Sequence, residues 1–179
     1  MSIKNRYTTK RAIVAALTAL IAVLNFMTLL FAITSAKING HRLSANGFTL
    51  AFGECPTMLD SLQNWLYFYC LTHFIISLIF VVAIAARALL KWGKPFGKLG
   101  GFSDVMAVLM SLIYMISGIA ANSSVKSDYS AFLPKYFSSH TAAFVPFILI
   151  TVAVIALVLV KWYMPGDFKF NFKAKGKKK

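Results

Sequence analysis

The chain has 179 residues, 59% of them hydrophobic, with a mean hydropathy of +0.71 and a formal net charge of +14. Soluble domains are about 45–50% apolar, so the composition excludes an ordinary water-soluble globule and a disordered chain alike. The basic excess is distributed as a membrane topology signal and implies no nucleic-acid partner.

Four runs carry no formal charge: 12–36, 61–86, 105–124 and 140–160. Each holds an apolar stretch of roughly 17–25 residues, enough to cross a ~30 Å hydrocarbon layer. They predict helices over 12–34, 62–86, 104–122 and 140–163. The fold class is then an all-α membrane protein, a four-transmembrane-helix bundle with a small β-hairpin in its first outer loop. Nearly all the chain is span or connection, so 1–179 reads as a single integral membrane domain.

The first predicted helix follows the basic stretch KNRYTTKR. Its apolar run is longer than the ~7–15 residues of a signal-peptide core, so it is expected to be retained. Ala12, Ala15, Ala16, Ala19 and Ala22 form a small-residue stripe along it, suited to close helix packing. Asn25 lies about eight residues from the expected outer end at Ile33.

The outer loop, 35–60, holds two Asn-Gly pairs, Asn39-Gly40 and Asn46-Gly47. Asn-Gly suits a two-residue turn in which both residues take positive φ, so "AKI" and "HRL" on either side of Asn39-Gly40 predict a hairpin. Phe48, Leu50 and Phe52 recur with period two, which predicts a further strand with those three facing the bundle. An isolated hairpin is marginal in water, so this one should rest on the third loop, 124–140, or on another protein. Asn39, Gly40, His41, Arg42, Phe48, Leu50 and Phe52 are the expected partner surface. Four spans with a β-bearing first loop form a layout similar to the claudin-like family. The tryptophan and paired-cysteine signature of that family's first loop is missing, since Cys55 has no partner in the loop, and no residue role is carried over.

The second predicted helix opens with WLYFY, Trp65 to Tyr69, whose rings suit a membrane–water boundary. His73 follows about two turns in. Cys55 and Cys70 are too few for a disulfide framework or a zinc site. The third helix carries Tyr114 about seven residues from its expected outer end at Ala121, with Ser117, Gly118 and Ala121 as a second small-residue face. Asn25, His73 and Tyr114 thus fall at a common depth of about 10–12 Å. They form either a helix-to-helix hydrogen-bonded cluster or a site for a lipid, a quinone or another cofactor.

The fourth helix ends in "KWY", and the tail 164–179 alternates Phe168, Phe170 and Phe172 with polar residues before a lysine run. Lys169, Lys173, Lys175, Lys177, Lys178 and Lys179 are expected to contact anionic headgroups. Fifteen of the nineteen basic residues fall in the two termini and the second loop. The positive-inside rule then places both termini in the cytoplasm and the Asn-Gly loop outside. The expected location is a cell membrane, or the endoplasmic reticulum in a eukaryote, where Lys175 and Lys177 would read as a retrieval signal.

The sequence holds no CxxC, no HExxH and no Gly-rich phosphate loop. The expectation is a non-enzymatic protein without cofactor or metal. It would act by association, as an accessory subunit or self-assembling scaffold, through its outer loop and helix faces. Its partners would be membrane lipids and another membrane protein or itself. The alternatives are a small-molecule or redox module centred on Asn25, His73 and Tyr114, or an oligomeric pore or exporter.

Overall fold

The computed structural model describes residues 9–38, 41–53, 59, 62–90, 97–128 and 136–163. Its elements in chain order are α1 (Thr9–Met27), β1 (Ala32–Ile38), β2 (His41–Asn46), α2 (Gly47–Ala51), α3 (Gln63–Leu90), α4 (Gly97–Asp128), β3 (Tyr136–Ser139) and α5 (Phe144–Tyr163). The molecule is mostly helical, and α1, α3, α4 and α5 are each long and apolar enough to cross a membrane.

The helices form because their apolar runs contain few residues that compete for backbone hydrogen bonds. Pro146 sits in the first turn of α5, where its missing N–H belongs to a group without an intrahelical partner anyway. At 28 and 32 residues, α3 and α4 measure about 42 and 48 Å, beyond the ~30 Å of a hydrocarbon core. α1 packs against the other three long helices, α5 against α1 and α4, and α3 against α1 and more lightly α4.

The first helix is shorter than the sequence predicts. α1 stops at Met27, a 3-10 turn covers Thr28–Leu30, and Phe31 turns extended at φ −76° and ψ 146°. The remainder of the apolar run, through Ile33 and Thr34, is strand β1. Apolarity alone does not separate a buried strand from a buried helix, and Ile33, Thr34 and Ala36 are buried as a strand. α4 differs in the other direction, beginning seven residues before 104 and running past 122 to Asp128.

β1 is the centre of a three-stranded antiparallel sheet in the order β2-β1-β3. It pairs with β2 from Ala32↔Asn46 to Ile38↔His41, with a bulge between Ala32 and Thr34. On its other side it pairs with β3 from Ser35↔Ser139 to Ile38↔Tyr136. The hairpin therefore rests on a strand from the third loop. The turn residues Asn39 and Gly40 lie outside the described residues, as do Cys55 and the tail lysines.

The second expected strand is instead helical. Asn46 caps α2, its Oδ1 accepting the Thr49 N–H at 2.9 Å while Thr49 Oγ1 donates to Asn46 O. This N-cap exchange outweighs the period-two pattern. It also changes the expected orientation: Leu50 is buried as expected and Ala51 is buried with it, whereas Phe48 and Phe52 are 39% and 57% exposed. Both rings lie edge-on to Phe74 of α3, at 5.9 and 5.4 Å.

The core is apolar with polar side chains buried in it, and unlike a soluble bundle the outward helix faces are apolar too. Thr18, Asn25, His73, Ser77, Ser103, Ser111 and Ser117 are buried, while Leu20, Ile79, Val82, Ile116 and Val152 face outward. Between 28% and 44% of each apolar window is buried within the molecule, so most of its apolar surface would meet the surrounding medium. The alanine stripe splits accordingly: Ala15, Ala19 and Ala22 pack on Val81 and Ile84 of α3, whereas Ala12 and Ala16 are exposed.

Candidate functional site

The main core lies beneath the sheet, where Leu29, Ile33, Leu50, Leu66, Tyr69, Met110 and Tyr114 are packed together. Tyr114 of α4 points into the base of the hairpin. Its hydroxyl accepts the Gly47 N–H at 2.9 Å and donates to Phe31 O. Phe31 precedes β1 and Gly47 follows β2, so one hydroxyl holds both feet of the hairpin. The fit is close: a Cβ on Gly47 would lie 2.6 Å from Leu29 Cδ2 and 2.8 Å from Tyr114 Cε2.

His73 of α3 lies beside Tyr114, ring centroids 6.2 Å apart and nearly perpendicular. Its Nε2 reaches Asn25 O at 3.1 Å and Asn25 Oδ1 at 3.2 Å. Its Nδ1 is 3.2 Å from the hydroxyl of Tyr69, which donates to Met110 O. The result is a buried relay from α1 through α3 to α4. It has three gaps to fill with protons: Asn25 O to Nε2, Nδ1 to the phenol, and the phenol to Met110 O. A neutral imidazole and a phenol bring two protons, and a protonated imidazole brings the third. In every case two other helices hold the ring.

Of the three residues expected to cluster, Asn25 and His73 are hydrogen-bonded, while Tyr114 touches His73 only through its ring. The depth reckoning behind that cluster used the wrong helix ends. Asn25 is two residues from the end of α1 and Tyr114 fourteen from the end of α4. They meet because α1 gives way to the sheet early and α4 continues beside it. Thr28 and Ser77 satisfy themselves on Leu24 O and Phe74 O. Tyr69 was expected at a boundary but is a relay member; its signal was the four-residue spacing to His73, which puts both on one helix face.

On the expected partner surface, His41 and Arg42 pair through their backbones with Ile38 and Lys37. Leu50 is in the core, and Phe48 and Phe52 are at the surface. At the opposite end of the bundle, Asp104 stands two turns inside α4 rather than at its start. Both of its carboxylate oxygens are buried without a hydrogen bond, and Lys161 Nζ is 3.9 Å from Oδ2. Among the described residues no three His, Cys, Asp or Glu side chains come together. No protein-family model, curated protein or solved structure matches the chain.

Proposed function

We propose that the chain is a four-span membrane protein, termini inside and sheet outside, that works by association through the sheet-bearing end. The observation that carries this reading is the open edge of β2. Among the described residues no strand lies beyond it, and an exposed strand edge is a template for a further strand. A loose lid would need no such seating as the hairpin has through Gly47 on Tyr114, or as β1 has on Gly118, where a Cβ would lie 3.0 Å from Ile33 O. A seated edge is preorganised, which reduces the ordering cost of binding. The partner is a strand of another membrane protein or β2 of a second copy, related by a two-fold axis. Insertion into a bilayer is supported by the outward apolar helix faces and the buried polar side chains.

The test is site-specific photocrosslinking in intact membranes, with a benzophenone amino acid at exposed Ser44 of β2 and, as control, at Ile79, 58% exposed on α3. A discrete protein adduct from Ser44, absent from Ile79, is the expected result. A Ser44 probe that yields no protein adduct, in a chain that is inserted and folded, overturns association through this edge.

A further inference from the structure

The end of the bundle away from the sheet carries a polar group that the association reading does not use. Asp104 is 5% exposed and lies three residues before Ala107 of α4, which packs with Ile21 of α1 and with Ile150, Ala153 and Leu157 of α5. An ionised carboxylate can accept about four hydrogen bonds, yet both Asp104 oxygens lack a donor. Lys161 Nζ, 3.9 Å away, compensates charge from beyond hydrogen-bonding distance, and its side chain is 44% exposed. Lys10 of α1 completes the group, its Nζ donating to Lys161 O at 2.8 Å. Trp162 and Tyr163 stand outward beside it, as rings at a headgroup level do.

A carboxylate in need of donors next to two ammonium groups complements a ligand with a cationic donor and an anionic acceptor a few bonds apart. We propose that Asp104, Lys10 and Lys161 bind the headgroup of a primary-amine phospholipid, its ammonium donating to Asp104 and its phosphodiester lying against Lys10 and Lys161. Lys161 swings on its flexible stem from the carboxylate toward the phosphate as the headgroup ammonium takes its place. Charge-assisted N–H bonds to a carboxylate are among the stronger hydrogen bonds, and a quaternary choline headgroup has no N–H to offer. The site therefore distinguishes an ammonium from a trimethylammonium. This inference rests on the chain crossing a bilayer.

The experiment is native mass spectrometry of the full chain in mild detergent, with phosphatidylethanolamine, phosphatidylcholine and phosphatidylglycerol of identical acyl chains offered one at a time. Retention of the ethanolamine lipid should exceed that of the choline lipid by about tenfold, the worth of one charge-assisted hydrogen bond. Asp104→Asn should abolish that preference and leave glycerol-lipid retention unchanged. Equal retention of ethanolamine and choline lipids, or glycerol-lipid retention matching ethanolamine, overturns the proposal. So does an ethanolamine preference that survives in Asp104→Asn. Should that variant fail to fold, the comparison of lipids on the unaltered chain still decides. Soluble phosphoethanolamine at equal concentration should displace little of the lipid, and full displacement would overturn a lipid as the source. Vesicle flotation of the same preparation separates the two readings. A chain that does not float fails the membrane reading, and one that floats without preferring the ethanolamine lipid fails this proposal alone.

Discussion

Gly47 lies under the ring of Tyr114 so closely that its N–H reaches the hydroxyl at 2.9 Å while a Cβ would fall 2.8 Å from Cε2. This contact joins the hairpin to α4, and each partner can be tested separately. Tyr114→Phe keeps the ring and removes the hydroxyl, leaving the Gly47 N–H and Phe31 O without it. The expected cost is about 1–3 kcal/mol, read from reversible unfolding in mixed detergent. Gly47→Ala keeps the hydroxyl and forces Leu29 or the ring aside, for about 1–3 kcal/mol by overpacking. An unchanged midpoint in both variants would mean that the hairpin is not seated here.

Gly118 performs the matching task on the next turn of α4. A Cβ there would meet Ala143 Cβ at 2.8 Å and Ile33 O at 3.0 Å. Neither neighbour is the tip of a flexible side chain, so Gly118→Ala must push apart α4, β1 and the 3-10 turn Thr141–Ala143. A helix interior normally gains about 0.5–1 kcal/mol from Gly→Ala. Here the sign is expected to invert, with a lower unfolding midpoint. Gly101, where a Cβ would meet nothing within 4 Å, supplies the control: Gly101→Ala should stabilise or leave the midpoint unchanged.

The Asn46 cap carries the third prediction. Asn46→Ala removes the acceptor for Thr49 N–H and should cost about 0.5–2 kcal/mol. It should also release Phe48 and Phe52 from Phe74. Local unfolding of α2 would show as faster amide exchange over Gly47–Ala51, with α3 unaffected. Exchange rates equal to those of the unaltered chain would remove the cap from the account.

How much of this could be read in advance follows from what a side-chain pattern encodes. Long apolar runs mark helices because length and composition suffice, and all four long helices lie where those runs lie. The hairpin was legible because Asn39-Gly40 is a local signal, and Ile38↔His41 pairing flanks that dipeptide. The end of α1 was not legible, since Ile33 and Thr34 suit a buried strand and a buried helix equally, and β3 decided between them. Phe48, Leu50 and Phe52 also fit two periods, and a cap three residues upstream of Thr49 selected the helix. The bond between His73 and Asn25 does not follow from a shared depth, which counts from helix ends that the structure moves. Tyr69 and Asp104 were missed because a boundary aromatic and a helix-start acid are the ordinary readings of such residues. Each became a buried polar group only through the register of α3 and the early start of α4.

The relay from Asn25 to Met110 yields the last prediction. His73 is held on one side by α1 and on the other by Tyr69, so it ties α1, α3 and α4 together beneath the sheet. Tyr69→Phe strands the buried Nδ1, and Asn25→Ala takes Oδ1 from Nε2 and leaves it the Asn25 carbonyl alone, whereas removing the imidazole frees both partners at once. Asn25→Ala and His73→Phe should therefore be non-additive by the worth of the Oδ1 contact. Groups in one hydrogen-bond network commonly couple by about 0.5–3 kcal/mol, and interhelical polar contacts within membranes average nearer 0.6 kcal/mol. The expected cycle energy is thus about 0.5–2 kcal/mol, measured by unfolding of the two single variants and the double variant. Tyr69→Phe against His73→Phe should give a coupling of similar size, because the phenol must serve Nδ1 and Met110 O with a single proton. Strict additivity in both cycles would mean that the imidazole merely fills space between Tyr69 and Tyr114, and that shape alone holds these three helices together.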